Sequence, residues 1–124
     1  MSGLGGEGRT WRQRRGDDGE SRALAHLQAA GLALIERNSA SRLGEIDLLM
    51  TDTDGTWVFV EVRVRRSSAF GGAAASVGRA KQLRVRRQAE ALLKRRFGDR
   101  RWPPCRFDVC AIEGDELNWI RDAF

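Results

Sequence analysis

The sequence has few residues of the kinds that form disulfides or transition-metal sites. Its 124 residues include two cysteines and one histidine. Cys105 and Cys110 lack the spacing of a zinc site, and His26 has no second histidine with which to share a metal. We therefore expect no disulfide and no cysteine or histidine metal centre, and we predict that both cysteines are buried free thiols.

Long hydrophobic runs are also absent. No apolar stretch approaches the ~18 residues of a membrane span. The arginine-rich start of the chain is not followed by an apolar segment, so we do not expect a secretory signal. With 41% hydrophobic and 31% charged residues, the composition is that of one soluble domain. We expect a cytoplasmic protein that does not contact a membrane.

Basic charge is concentrated in the second half of the chain. From Glu61 to Arg106 there are 14 Lys or Arg residues and three acidic ones, a net charge of +11. Because the whole chain carries +5, the rest is net acidic at −6. Clustered Lys and Arg neutralise phosphates and release counterions, so this segment favours a polyanion partner. A solvated charged surface without a partner would give the same count.

Two predicted strands carry carboxylates among apolar residues. Residues 57–64 place four valines on one face and Trp57, Phe59, Glu61 and Arg63 on the other, because side chains alternate along a strand. The valine face is expected to pack in a core. The other face changes from aromatic to ionic, so Glu61 and Arg63 should lie side by side.

The preceding segment, residues 44–50, repeats this alternation. Glu45, Asp47 and Leu49 are predicted to share one face. The opposite face is then wholly apolar and consists of Ile46, Leu48 and Met50. A short polar linker containing Asp-Gly joins the two strands, which predicts an antiparallel hairpin. Asp47 and Glu61 would then approach each other across the pair.

The rest of the chain predicts a tail, two helices and three strands. We expect a flexible basic tail over residues 1–16 and one α/β domain over residues 17–124. Within the domain, a capping box of Asp17 and Glu20 predicts the start of a helix that Gly31 ends. The other expected segments are a strand over 32–36, a Ser-rich loop to Arg42, a Gly/Ser loop over 67–72, a basic helix from 73 or 76 to 97, and strands over 106–112 and 116–120. This order predicts a mixed sheet flanked by helices.

Several motifs, in the same order, resemble the YraN-like family of uncharacterised bacterial proteins. They are Gly16-x-x-Gly19-Glu20-x-x-Ala23-x-x-x-Leu27-x-x-x-Gly31, Asn38, Gly44-Glu45-Ile46-Asp47-Leu48, Val58-Phe59-Val60-Glu61-Val62-Arg63, Phe70-Gly71, Lys81-Gln82, Arg106-Phe107-Asp108-Val109 and Asp122-Ala123-Phe124. That family is similar to archaeal Holliday-junction resolvases and to proteins of the restriction-endonuclease-like fold. The resemblance therefore implies a restriction-endonuclease-like mixed sheet and a nuclease-type core.

The resemblance also implies a set of site residues. Asp47 and Glu61 match the acidic signature, and Glu20 matches a helical acid that often joins them. All three are candidate catalytic residues and candidate ligands of Mg²⁺ or Mn²⁺, which prefer hard oxygen ligands and keep water and phosphate in their shell. Simpler explanations remain: Glu20 as a helix cap, and Glu61 with Arg63 as an ion pair on an exposed strand face.

Arg63 departs from the resemblance, which leads us to expect a lysine there. A guanidinium stays protonated at working pH, so Arg63 could stabilise charge on a reacting phosphate but could not act as a base. Lys81, on the basic helix, is a candidate to supply the ammonium group that Arg63 lacks. The predicted nucleic-acid contacts are Arg65, Lys81, Gln82 and Arg84.

Three functions fit these observations. The first is a metal-dependent endonuclease that acts on structured or branched DNA, which for a junction would require a two-fold homodimer. The second is a non-catalytic nucleic-acid-binding module with a nuclease-like fold, favoured by Arg63. The third is a structural protein whose basic helix contacts an acidic partner.

Overall fold

The computed structural model describes residues 11–65 and 77–124, with side chains from residue 18 onward. In chain order, the helices and strands are α1 (Trp11–Ala29), β1 (Ala33–Ser41), β2 (Gly44–Thr51), β3 (Trp57–Arg65), α2 (Arg79–Phe97), β4 (Cys105–Glu113) and β5 (Glu116–Ile120). None of the helices in this described part of the chain is long and apolar enough to cross a membrane.

The five strands form one mixed sheet in the order β1-β2-β3-β4-β5. Neighbouring strands are antiparallel except for β3 and β4, which run parallel from Trp57–Cys105 to Arg65–Glu113. A parallel pair needs a crossover connection, and α2 lies in that connection. The predicted α/β class and the β2–β3 hairpin are both confirmed.

The two helices cover opposite faces of the sheet and form two separate cores. The core under α1 consists of Ala23, Leu27, Leu32, Leu48, Met50, Val58, Val60 and Cys110. The core under α2 consists of Ile46, Leu49, Phe59, Val85, Ala89, Leu92 and Leu93. The predicted alternation along β3 is confirmed, because Val58 and Val60 lie in the first core and Phe59 in the second.

The alternation predicted for β2 is wrong at one point. Ile46 packs with Leu49 in the core under α2, whereas Leu48 and Met50 belong to the other core. The two-residue period is therefore interrupted around Asp47. Because helices cover both faces, the strand is also buried on both sides instead of alternating between core and solvent.

Some element boundaries also differ from the prediction. Helix α1 begins at Trp11, so Asp17 lies inside the helix and not at its N-cap. The Arg and Gln residues that precede Asp17 have high helix propensity and extend the helix. Strand β1 continues through the Ser-rich segment to Ser41, which pairs with Gly44. Helix α2 begins at Arg79, whereas the predicted starts at 73 and 76 and the loop over 67–72 lie outside the described residues.

Both cysteines are free thiols, as predicted, but only one is buried. Cys110 lies in the core under α1, whereas Cys105 is exposed. The prediction of a buried thiol is wrong for Cys105 because it is the first residue of β4, directly after the two prolines, where the strand enters the sheet.

A buried carboxylate holds the segment that follows β5. Asp108 of β4 has no exposed surface and accepts hydrogen bonds from Arg106 Nε, Trp119 Nε1 and the backbone N–H of Asp122 at 2.9–3.1 Å. Arg106 Nη1 also donates to Asp52 Oδ2 at 2.9 Å. This network ties the β2–β3 turn to β4 and so fixes the hairpin that carries the site.

Close packing of α2 on β2 depends on a glycine. A Cβ atom on Gly44 would lie 2.3 Å from the backbone carbonyl oxygen of Arg84. Real Cβ atoms do not approach backbone atoms so closely, so any larger residue would push the helix away from the strand. Gly44 therefore sets the distance between the sheet and the first half of α2.

We predict that Gly44→Ala lowers the free energy of unfolding by about 1–3 kcal/mol, the usual cost of overpacking. Urea denaturation of the full chain measures this change. Gly78→Ala is the matched control, because a Cβ there would meet no atom within 4 Å and the residue has an ordinary φ of −75°. Equal stability of the two variants would contradict the prediction.

Candidate functional site

Asp47 lies in a notch between β2 and β3. Backbone pairing of these strands extends from Thr51–Trp57 to Leu48–Val60. Just beyond the last pair, Asp47 Oδ2 accepts a hydrogen bond of 2.8 Å from the backbone N–H of Val62. The Asp47 side chain thus accepts a hydrogen bond from a β3 amide where the backbone pairing with β2 stops. This contact holds the carboxylate between the strands.

Glu61 is the buried partner of Asp47. Only 2% of the residue is exposed, and its carboxyl group lies within hydrogen-bonding reach of Asp47. Burial, followed by the negative charge of Asp47, raises the pKa of Glu61 to about 7. Burial also raises the pKa of Asp47, against the hydrogen bond from Val62. The predicted approach of the two acids is confirmed.

Two cations contact the same oxygen of Glu61. Arg63 Nη1 lies 3.4 Å and Lys81 Nζ 3.7 Å from Oε2. Lys81 Nζ also lies 3.3 Å from Oε1 of Glu45, whose side chain is exposed. The contact that the ion-pair alternative predicted between Glu61 and Arg63 is therefore present. Because Glu61 is buried, the prediction that this pair lies on an exposed strand face is wrong.

Glu20 reaches the site from α1 but pairs with β1. Its side chain is 12% exposed and lies 3.5 Å from Arg37 Nη2. Burial and the charge of Asp47 raise its pKa, whereas Arg37 and a hydrogen bond with Asn38 lower it. Glu20 is therefore close enough to Asp47 to feel its charge, while its own partners are on the edge strand.

A divalent cation fits the Asp47–Glu61 pair on the chemistry of its atoms. Within residues 11–65 and 77–124, no three acidic, cysteine or histidine side chains are grouped to hold a metal ion, so Glu20 does not complete the set. Oε1 of Glu61 is nevertheless buried, with no hydrogen-bond donor reaching it from the described residues. Mg²⁺ commonly uses only one or two carboxylates together with water and phosphate. One buried and one partly buried carboxylate, with an unsatisfied oxygen atom on Glu61, match that requirement.

The residues predicted to contact nucleic acid occupy different surroundings. Arg84 is exposed on α2, and Arg65 is half-buried at the end of β3 opposite Glu113. The side-chain amide of Gln82 donates to the carbonyl oxygen of Val77 at 2.9 Å, just before the helix. Lys81 lies at the carboxylate pair. Contact with nucleic acid stays a prediction for all four.

The sequence pointed to Asn38 and Gly44 only as motif residues and did not predict their roles in the site. Asn38 has a φ of 52°, a conformation that favours asparagine among non-glycine residues, and it hydrogen-bonds to Glu20. Gly44 admits the backbone of α2. Both positions could have been suspected, because an isolated Gly or Asn in a strand often marks an unusual conformation or a close approach.

The raised pKa of Glu61 predicts a pH-dependent stability. The folded chain keeps this proton up to about pH 7, whereas an unfolded glutamate loses it near its ordinary pKa of 4.5. The folded state therefore binds more protons between these values, and stability falls as pH rises through the window, by on the order of 3 kcal/mol. We predict that Glu61→Gln removes most of this fall.

Denaturant unfolding at a series of pH values measures the effect. Glu90→Gln is the control, because Glu90 is exposed on α2 away from the pair. A fall with the same slope in the parent, in Glu61→Gln and in the control would show that Glu61 does not hold the proton.

Comparison with known proteins identifies the family of this chain. A family model described as "Uncharacterised protein family UPF0102" matches residues 19–112. A UPF0102 protein of Acidovorax sp. (strain JS42) is 55% identical over 115 residues, which cover 88% of this chain and 83% of the relative. Similar relatives come from Methylibium petroleiphilum (53% identical over 115 residues; 88% and 92% covered) and Ralstonia pickettii (54% over 112 residues; 88% of each). The chain belongs to the UPF0102 family, which confirms the resemblance that its motifs indicated.

Proposed function

We propose that this protein is a cytoplasmic, metal-dependent endonuclease that acts on structured or branched DNA. The observation that carries the proposal is the pair of the buried Glu61 and the partly buried Asp47, which lies in a notch of the sheet at the start of a strongly basic helix. Burying a carboxylate costs free energy of folding, which a function can explain. Strongly perturbed carboxyl groups are typical of functional sites.

The charge of α2 supports a phosphate-rich substrate. The helix has eight Lys or Arg residues and a single acid, Glu90. Its exposed arginines nearest the site are Arg79, Arg84, Arg86 and Arg87. Such a surface holds phosphates without reading bases, so the shape of the DNA rather than its sequence would select the substrate. If the substrate is a junction, a two-fold homodimer would supply two sites.

In this proposal the acidic and basic residues of the site have different roles. Asp47, fixed by the Val62 amide, and Glu61 hold Mg²⁺ or Mn²⁺. When bound, such a cation polarises a phosphate and lowers the pKa of a water molecule. Arg63, whose side chain is one-third exposed, keeps its charge and contacts the oxygens of the reacting phosphate. Glu20 adds negative charge from the α1 side, close enough to Asp47 for the two charges to interact.

We predict Mn²⁺-dependent cleavage by the full chain that is lost in Asp47→Asn. Asparagine keeps an oxygen that accepts the Val62 N–H but removes the charge that attracts the cation. The measurement is a gel assay on a four-way junction, a flap, a single strand and a duplex. Glu90→Gln, which alters an exposed acid on α2, should cleave as the parent does. Persistent cleavage by a folded Asp47→Asn variant would contradict this assignment of the site.

One observation favours a second function, a nucleic-acid-binding module that does not cleave. Arg63 and Lys81 already place two positive charges on Glu61, so the pair can be neutralised without a metal. In that case α2 would still bind phosphates, and the carboxylates would only orient the cations that line the surface.

For binding by either function, we predict that Arg84→Gln reduces the salt dependence of DNA affinity. Each lost contact with a duplex phosphate lowers the slope of log K against log salt concentration by about 0.9. Arg121→Gln is the control, because Arg121 lies over Trp119, which packs on the α1 side of the sheet. Equal slopes for both variants would place the DNA elsewhere, and binding without products in Mn²⁺ would favour the module over the nuclease.

A further inference from the structure

Lys81 is the one contributor to the carboxylate cluster that comes from α2 among the described residues. Its Nζ lies 3.3 Å from Glu45 and 3.7 Å from Glu61, and its charge also lowers the pKa of Asp47. The side chain is 24% exposed, so the ammonium group lies between the buried pair and solvent. A cation there occupies the outer side of the site, from which a divalent ion or a phosphate would enter.

Helix packing brings Lys81 to this position. The carbonyl of Arg84, one turn later in α2, lies directly over Gly44, which admits no side chain. Val85 and Gln88 of the same helix are buried against the sheet. The first turn of α2 is therefore held close to the beginning of β2, and Lys81 projects from it onto the acids.

The two cations on Glu61 are not equivalent. Arg63 lies on the same strand as Glu61, two residues away, so the strand backbone limits how far the guanidinium can move away from the Glu61 carboxylate. Lys81 reaches Glu61 from another element through a flexible four-carbon stem, and its ammonium is a compact charge that can be replaced by another cation. Its two contacts, at 3.3 and 3.7 Å, are those of an ion pair that is partly in solvent rather than a tight, buried bond.

We propose that Lys81 is an exchangeable counter-ion of the site: it neutralises Glu61 and Glu45 in the metal-free protein, leaves Glu61 when a divalent cation binds, and then contacts a substrate phosphate. The second half of this inference rests on the proposed function, whereas the exchange itself does not require cleavage. Because the ammonium repels an incoming cation, its loss strengthens metal binding. Because it also contacts phosphate, its loss weakens DNA binding. A purely structural lysine would not produce these opposite effects.

Calorimetric titration of the full chain with Mn²⁺ at about pH 8.5 tests the exchange. We expect Lys81→Met to lower the Kd for Mn²⁺ by about fivefold, as expected for removal of one partly exposed charge. Lys81→Arg restores the charge and should return the affinity towards that of the parent. Lys94→Met is the matched control, a lysine of the same helix that is exposed near its other end. Unfolding midpoints establish that each variant is folded.

The outcomes separate this inference from the proposed function. Tighter Mn²⁺ binding by Lys81→Met, with no change in Lys94→Met, supports the exchange even if no DNA is cut. Equal or weaker Mn²⁺ binding by Lys81→Met, or no Mn²⁺ binding by the parent, overturns it. With Mn²⁺ present and Asp47 intact, on a DNA that the parent binds but does not cut, Lys81→Met should weaken DNA binding. Unchanged DNA affinity would overturn the second half alone.

Discussion

The structure depends on the need to stabilise two neighbouring carboxylates, that of Glu61, which is buried, and that of Asp47, which is partly buried. Charged groups in a protein interior are unfavourable unless hydrogen bonds or opposite charges compensate them. Asp47 obtains its compensation from the Val62 amide, and Glu61 obtains it from Arg63 and Lys81. The end of β2–β3 pairing at Leu48–Val60 makes room for this arrangement. A gap in the hydrogen-bond ladder is thus used to hold acidic side chains inside a sheet.

The two layers around the sheet contribute differently to this pair. Helix α1 supplies Glu20, whose charge acts on Asp47 but whose ion pair is with the edge strand. Helix α2 supplies the positive charge, and Gly44 allows it to approach. The parallel β3–β4 pair, secured by the Asp108 network, holds Glu61 between the two layers. Disturbing either helix should therefore alter the electrostatics of the same two residues.

Much of the fold followed from patterns that act locally. The valine face of residues 57–64 predicted the alternation in β3, and Asp-Gly in the linker predicted the hairpin. The start of α1 and the strand character of the Ser-rich part of β1 were missed. The first depends on continuing a helix beyond an apparent cap, and the second on a tight turn at residues 42–43 that pairs Ser41 with Gly44 of the next strand. The pairing of Asp47 with Glu61 could be expected from the hairpin. The position of Lys81 could not, since it depends on how α2 packs on Gly44.

The proton that Glu61 keeps up to about pH 7 has a chemical consequence for the proposed cation site. A metal ion needs ionised carboxylates, so its entry must expel that proton below neutral pH. For the proposed site, cation affinity and acidity would thereby be linked, and a divalent ion would bind less readily in an acidified medium than in an alkaline one. If the proposed cation site exists, its occupancy would depend on two quantities at once, the supply of divalent ions and the hydrogen-ion concentration around it.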